Sequence, residues 1–100
     1  MYLVREVMHC KPGKVRPLVD KFTELGKVMK KLGYNTPLRI LTDVSGERYW
    51  TLIAEQEVKN LEEYAEMSRE TMADPKLQKA MKGYHDLVES GHREIYKIEK

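Results

Sequence analysis

The sequence predicts an α+β fold, a ferredoxin-like β-α-β-β-α-β chain forming one domain over residues 1–100. Three observations carry this. The apolar period switches from strand-like to helical at Pro12-Gly13. Two β-rich runs flank Ser45-Gly46. A second helical segment, broken at Asp74-Pro75, leads into a closing strand. One hundred residues suffice for a single two-layer core and are too few for two.

Residues 2–10 are rich in β-formers and run into Pro12-Gly13, a strand with a sharp exit. From Lys14 the apolar residues Val15, Leu18, Val19, Phe22, Leu25, Met29 and Leu32 recur at spacings of three and four, which puts them on one helix face. Pro17 falls in the first turn, where its missing N–H costs little. Gly33 follows Lys27, Lys30 and Lys31 in the place of a C-terminal glycine cap, and the cations there complement the helix dipole. Thr36–Val44 and Glu47–Val58 read as two strands joined across Ser45-Gly46. Asn60 opens the second helix, with Glu63 three residues on as a capping-box partner. The residue before proline avoids helical angles and Asp caps well, so Asp74-Pro75 should break and restart that helix. Leu77, Ala80, Met81, Tyr84, Leu87 and Val88 continue the apolar face, Ser90-Gly91 ends it, and His92–Ile98 forms the last strand. The simplest closure of this order places the strands 4-1-3-2 with both helices on one face.

That closure leaves the other face of the sheet without cover. A half-solvated strand should alternate apolar and polar residues. Here both parities are apolar: Val4 and Met8 against Leu3 and Val7 in the first strand, Leu38 and Ile40 against Leu41 in the second. In the third, Trp50, Leu52, Ala54 and Val58 oppose Tyr49 and Ile53. A second copy would bury the open face at about 25 cal/mol per Å² of apolar area, so the sequence predicts a homodimer joined through its sheets.

The remaining composition excludes several classes. A net charge of +2 with no basic stripe interleaved with aromatics argues against nucleic-acid binding. No apolar run approaches the ~20 residues of a membrane span. The single cysteine allows neither an internal disulfide nor a cysteine zinc cluster. MYLVREVMHC carries charges within its apolar stretch and lacks a signal-peptide layout, so a cytoplasmic location is expected. His9 and Cys10 are adjacent on a strand and point to opposite faces, which disfavours a shared metal, and no metal site is expected.

The chemistry-bearing candidates are Glu6, His92, Glu94 and Tyr96 as catalytic residues, with Met8, Tyr49 and Trp50 as ligand contacts. A carboxylate near a histidine in an apolar cavity can serve as a general base. His92, Glu94 and Tyr96 share a parity and would form a row on one strand face. The alternative is that such residues point to solvent or form cross-strand ion pairs with Arg5, Arg39 or Arg93. Tyr49 and Trp50 are expected on opposite faces of one strand. Cys10 needs a neighbouring cation to be reactive and is expected to be a buried, inert thiol. Met67, Met72 and Met81 read as flexible core filler.

Taken together, the Lys11-Pro12-Gly13-Lys14 strand exit, the VRPLVDKFTEL helix, the TDVSG hairpin, the NLEEY helix start, the ADP break and the SGHREIYKI strand resemble the dimeric α/β-barrel superfamily, in particular its NIPSNAP-like and antibiotic-biosynthesis-monooxygenase-like groups. The resemblance spans essentially the whole chain and rests on corners, caps and breaks. It implies two ferredoxin-like protomers packed sheet to sheet into an α/β barrel, with each open face lining a pocket. It further implies a monooxygenase-like activity without a cofactor on a small apolar or aromatic compound. A dimeric ligand-binding or structural protein without turnover is the alternative. Haem-degrading members use an Asn on the first strand, a Trp and a ligating His. This sequence departs from that pattern: its first strand has no Asn, and no histidine follows shortly after Trp50. His85 lies elsewhere, on the late helical segment.

Overall fold

A computed structural model describes residues 1–100. The strands are β1 (Tyr2–Cys10), β2 (Arg39–Thr42), β3 (Thr51–Val58) and β4 (Val88–Lys97). The helices are α1 (Val15–Lys31), α2 (Leu61–Met72) and α3 (Pro75–Ala80), with a 3₁₀ turn at Tyr84–Asp86. The sheet order is β2-β3-β1-β4 and every pair is antiparallel, the predicted ferredoxin-like arrangement. The molecule measures 36 × 34 × 17 Å, and the short axis admits one sheet and one helical layer but not a third. No helix is long and apolar enough to cross a membrane.

The local chemistry explains the corners. Lys14 N–H donates to Lys11 O at 3.0 Å, closing a turn with Pro12 second and Gly13 third at φ +77°, a conformation that favours glycine. At the far end of α1, Gly33 sits at φ +94°. Its N–H reaches Lys30 O while Tyr34 N–H reaches Met29 O, the paired bonds of a Schellman cap. Asn60 Oδ1 accepts from Glu63 N–H at 2.8 Å, so the cap forms as predicted on its Asn side. Asp74 Oδ1 accepts from Lys76 and Leu77 N–H with Pro75 in the first turn, and this break separates α2 from α3.

Two boundaries differ from expectation. The β2–β3 connection is longer than a Ser45-Gly46 hairpin, because residues 43–50 leave the sheet. Asp43 Oδ1 takes Thr51 N–H at 2.8 Å, and Trp50 adopts φ +59° while its carbonyl accepts Cys10 N–H. A bulky residue at positive φ cannot continue a strand. Tyr49 and Trp50 therefore do not alternate across one, and both side chains are exposed. The second correction concerns Ser90-Gly91, which lies inside β4 instead of ending a helix. α3 stops at Ala80, Gly83 turns at φ +83°, and residues 88–91 already pair with β1, with a bulge opposite His9/Cys10. Met81, Tyr84, Leu87 and Val88 do pack on the core, as their apolar character required, but from turn and strand positions.

Alternation gives each sheet face its residues. The helix-covered face carries Val4, Glu6, Met8 and Cys10 from β1, Leu52, Ala54, Gln56 and Val58 from β3, and Gly91, Arg93 and Ile95 from β4. Cys10, Leu18, Phe22, Leu52 and Ala54 form the core there. The open face carries Leu3, Arg5, Val7 and His9, Ile53 and Glu55, Arg39 and Leu41, and His92, Glu94 and Tyr96.

Candidate functional site between sheet and helices

β1 and β3 bring Glu6 and Gln56 to the helix-covered face as diagonal neighbours, since Glu6 pairs with Ala54 and Gln56 with Val4. β4 adds Arg93 directly opposite Glu6. α2 lays Tyr64 over the same spot. Arg93 Nε donates to Glu6 Oε1, and Tyr64 O–H donates to it at 3.3 Å. The Arg93 guanidinium also lies 5.3 Å from the centre of the Tyr64 ring, within cation–π range. The Glu6 hydrogen bond holds Arg93 more firmly protonated, while burial raises the Tyr64 phenol above its ordinary value. The three side chains thus fix one another.

This cluster lines a cavity of about 270 Å³ between the sheet and the helices, where 13 of the 18 lining residues are hydrophobic. Val4, Met8 and Ala54 make its floor; Phe22, Met67 and Leu77 are among the helical residues above. Gln56 lines it too, and its Oε1 is buried without any hydrogen-bond partner. A buried acceptor left unpaired costs free energy that a bound donor would recover. No group of three His, Cys, Asp or Glu side chains converges to hold a metal ion.

The sequence-predicted residues divide between the two faces. Glu6 and Met8 line the cavity. His92, Glu94 and Tyr96 form the expected row, but on the open face. His92 Nε2 lies 2.8 Å from Glu94 Oε2, and Tyr96 O–H donates to Glu94 Oε1 at 3.3 Å. Glu94 is also the last member of a charge ladder crossing all four strands, Arg39–Glu55–Arg5–Glu94. Arg5 Nε is 3.3 Å from Glu55 Oε2 but out of line for a hydrogen bond, while its Nη1 bonds Glu94 Oε1 at 3.2 Å. The His92 hydrogen bond holds the Glu94 carboxyl below its usual range. So both readings of these side chains hold in part: the row exists, and the carboxylates are tied into cross-strand ion pairs. Glu6 faces the helices while Glu94 faces the open side of the sheet, and His92, on the edge strand β4, shares with Glu6 the walls of a groove at that edge. The cavity described above lies under the helices, on the face opposite this row. Tyr49 and Trp50 line neither the cavity nor the row.

His9 joins the open face with its ring 5.9 Å from that of His92, and burial, then Arg48 and His92, lower its pKa. Cys10 is buried, and burial followed by the charge of Asp43 raises its thiol pKa, the environment of an unreactive cysteine. Of the methionines, Met67 is buried and Met72 exposed.

Comparison with known proteins places this geometry. An uncharacterised NIPSNAP domain protein from Burkholderia xenovorans superposes with a TM-score of 0.79 at 16% identity, covering 98% of this chain and 94% of its own. A NIPSNAP family protein of unknown function from Agrobacterium tumefaciens gives 0.81 at 18% identity, over 98% and 87% of the two chains. A candidate antibiotic biosynthesis monooxygenase from Nitrosomonas europaea gives 0.71 at 13% identity, over the full length of both. The fold is that of the NIPSNAP and antibiotic-biosynthesis-monooxygenase structures. At these identities the likeness is one of fold. No family model and no curated protein matches the sequence.

On this NIPSNAP-like frame, sequence reasoning missed Gln56, Tyr64 and Arg93 as site residues. Gln56 was legible: it is the one polar residue in the Leu52, Ala54, Gln56, Val58 parity that faces the core. The Glu6–Arg93 pairing depended on strand register, which the sequence does not print.

Proposed function

We propose that the protein binds a small, mainly apolar or aromatic molecule in the cavity between sheet and helices, oriented by one hydrogen-bonding group. The unpartnered Gln56 Oε1 in a mainly apolar wall carries this reading. Apolar walls supply affinity, and a few placed polar groups supply orientation. A turn of the half-buried Gln56 side chain would bring Oε1 to a ligand hydroxyl that replaces the missing hydrogen bond, and the Glu6–Arg93–Tyr64 cluster beside it would hold a second polar atom. Oxygenase-like turnover is the second reading. It is favoured by the Glu6 carboxylate in the cavity wall, which can accept a proton from such a hydroxyl.

The assembly we propose is a homodimer through the open faces. Val7 and Glu55 are buried there, Leu41 and Tyr96 are exposed, and no layer of this chain covers the sheet. In that arrangement the His92–Glu94–Tyr96 row belongs to the interface rather than to the cavity. The charge ladder enters it already paired, which lowers the cost of burying it.

The test compares 1-naphthol with naphthalene by calorimetric titration. The hydroxyl compound is expected to bind more tightly, and Gln56→Leu to erase the difference. Equal affinities for the wild-type protein, or no binding of either, would refute the assignment.

A further inference from the structure

Gly91 is the β4 residue opposite Met8 on the helix-covered face. A Cβ placed on it would lie 2.6 Å from Met8 Sδ and 3.2 Å from Val7 O, so the methionine sulfur occupies the space a side chain would need. Met8's other cross-strand neighbour, on β3, is the fully buried Leu52. The Met8 side chain therefore leans over the glycine because the opposite side is full. Beyond it lies an open groove of about 380 Å³ lined by His85, Glu89, Ser90 and Gly91. The groove and the cavity share Glu6, Met8, Tyr84 and Arg93 in their walls. Of these four, Glu6 and Arg93 are pinned to each other. Met8 is the one with a flexible, unbranched side chain and no hydrogen bond to hold it.

We propose that Gly91 is a specificity-determining residue, seating Met8 as the partition between cavity and groove and so fixing the length of ligand the cavity accepts. This rests on the ligand-binding reading of the cavity and adds the dimension along which it selects: an elongated apolar body, its polar end at Gln56 and its far end against Met8. Adding a methyl group at position 91 displaces the sulfur. On this proposal the displaced Met8 rises off the sheet into the cavity rather than swinging into the open groove, and so shortens the cavity. Truncating Met8 removes the partition and joins cavity to groove.

The experiment titrates a homologous series of n-alkanols into four folded proteins: wild type, Gly91→Ala, Met8→Ala and the double variant. Each buried methylene is worth about 0.8 kcal/mol, roughly fourfold in affinity, until the chain meets a wall. Affinity in the wild type is expected to climb with chain length and then level off. In Gly91→Ala it should level off about one or two methylenes earlier, a loss of about four- to fifteenfold at the limiting length. In Met8→Ala it should continue climbing past that length. The double variant should behave as Met8→Ala, because there is no sulfur left for the added methyl group to displace; this arm also covers a poorly folded Gly91→Ala. A limiting length in Gly91→Ala equal to that of the wild type, or identical limiting lengths in wild type, Met8→Ala and the double variant, would overturn the assignment while leaving the cavity as a binding site. Failure of every protein to bind any alkanol would overturn both.

Discussion

Replacing Gln56 with leucine separates a structural amide from one kept for a ligand. The two side chains are similar in volume, so the change removes the amide with little change in packing. Gln56 Oε1 has no partner and is shut off from solvent, although the rest of the side chain is only half-buried. An unsatisfied buried polar group costs about 1–3 kcal/mol, and with a single atom fully dry the lower end applies, about 1 kcal/mol. Gln56→Leu should therefore stabilise the free protein by about that amount, seen as a rise in Tm of about 4–8 °C for a domain of this size. The same substitution should weaken 1-naphthol binding about fivefold, the worth of one neutral hydrogen bond, and leave naphthalene unaffected. Thermal unfolding followed by circular dichroism, with and without ligand, reads both effects. Stability gained while affinity is lost marks a residue retained for function. A Tm that falls would refute the reasoning, because it would mean that ordered water already satisfies the amide.

Three further outcomes are expected. Leu41 is exposed on the open face and is not needed by the helix-side core, so Leu41→Glu should convert the proposed dimer to a folded monomer in sedimentation velocity; a wild-type protein that sediments as a monomer at micromolar concentration removes the sheet-to-sheet arrangement altogether. Glu94 has a folded pKa below its ordinary value of 4.5 because His92 hydrogen-bonds it. Its contribution to stability is therefore complete above that value and is lost as pH falls through the lower folded value. Glu94→Gln should flatten the acid limb of a stability–pH curve, and an unaltered limb would show the row to be energetically idle. Asp74 caps α3 through two backbone N–H groups, so Asp74→Ala should cost about 1 kcal/mol in urea unfolding; a cost near zero would mean that Pro75 alone sets the break.

The parts of the fold that local chemistry decides were readable in the sequence. Pro12-Gly13, Gly33, Asn60 and Asp74-Pro75 act through their own backbone preferences, and each does in the structure what its residue type requires. The errors fall where tertiary pairing outweighs local signal. Ser90-Gly91 looks like a helix stop, yet β1 has unpaired backbone groups opposite it, and satisfying them draws β4 back to Val88. Trp50 has strong strand propensity, but its carbonyl is taken by Cys10 N–H across a chain reversal that only the folded β1 creates. The candidate site was half legible for the same reason. Parity identified which residues could share a face, and Glu6 and Met8 do face the cavity. Parity within one strand does not give the register between strands, and the register of β1 with β4 sets Glu6 opposite Arg93 and away from the His92–Glu94–Tyr96 row.

That separation constrains any account of how the protein works. β1 and β4 serve both faces at once: Glu6 and Met8 alternate with Arg5 and Val7, and Gly91 and Arg93 alternate with His92 and Glu94. A strand shift by one residue would exchange the two sets, placing the charge ladder under the helices and the cavity's polar cluster in the open. The register is held by pairs on both sides of the same rungs, Glu6 with Arg93 on one face and Arg5 with Glu94 on the other. Neither pair needs to contribute much net stability to do this, since the slipped alternative would bury unpaired charge at a cost of several kcal/mol. The ionic residues of β1 and β4 therefore have a positional role apart from any chemistry: they keep a mainly apolar cavity on one side of a thin sheet and the charge ladder on the other.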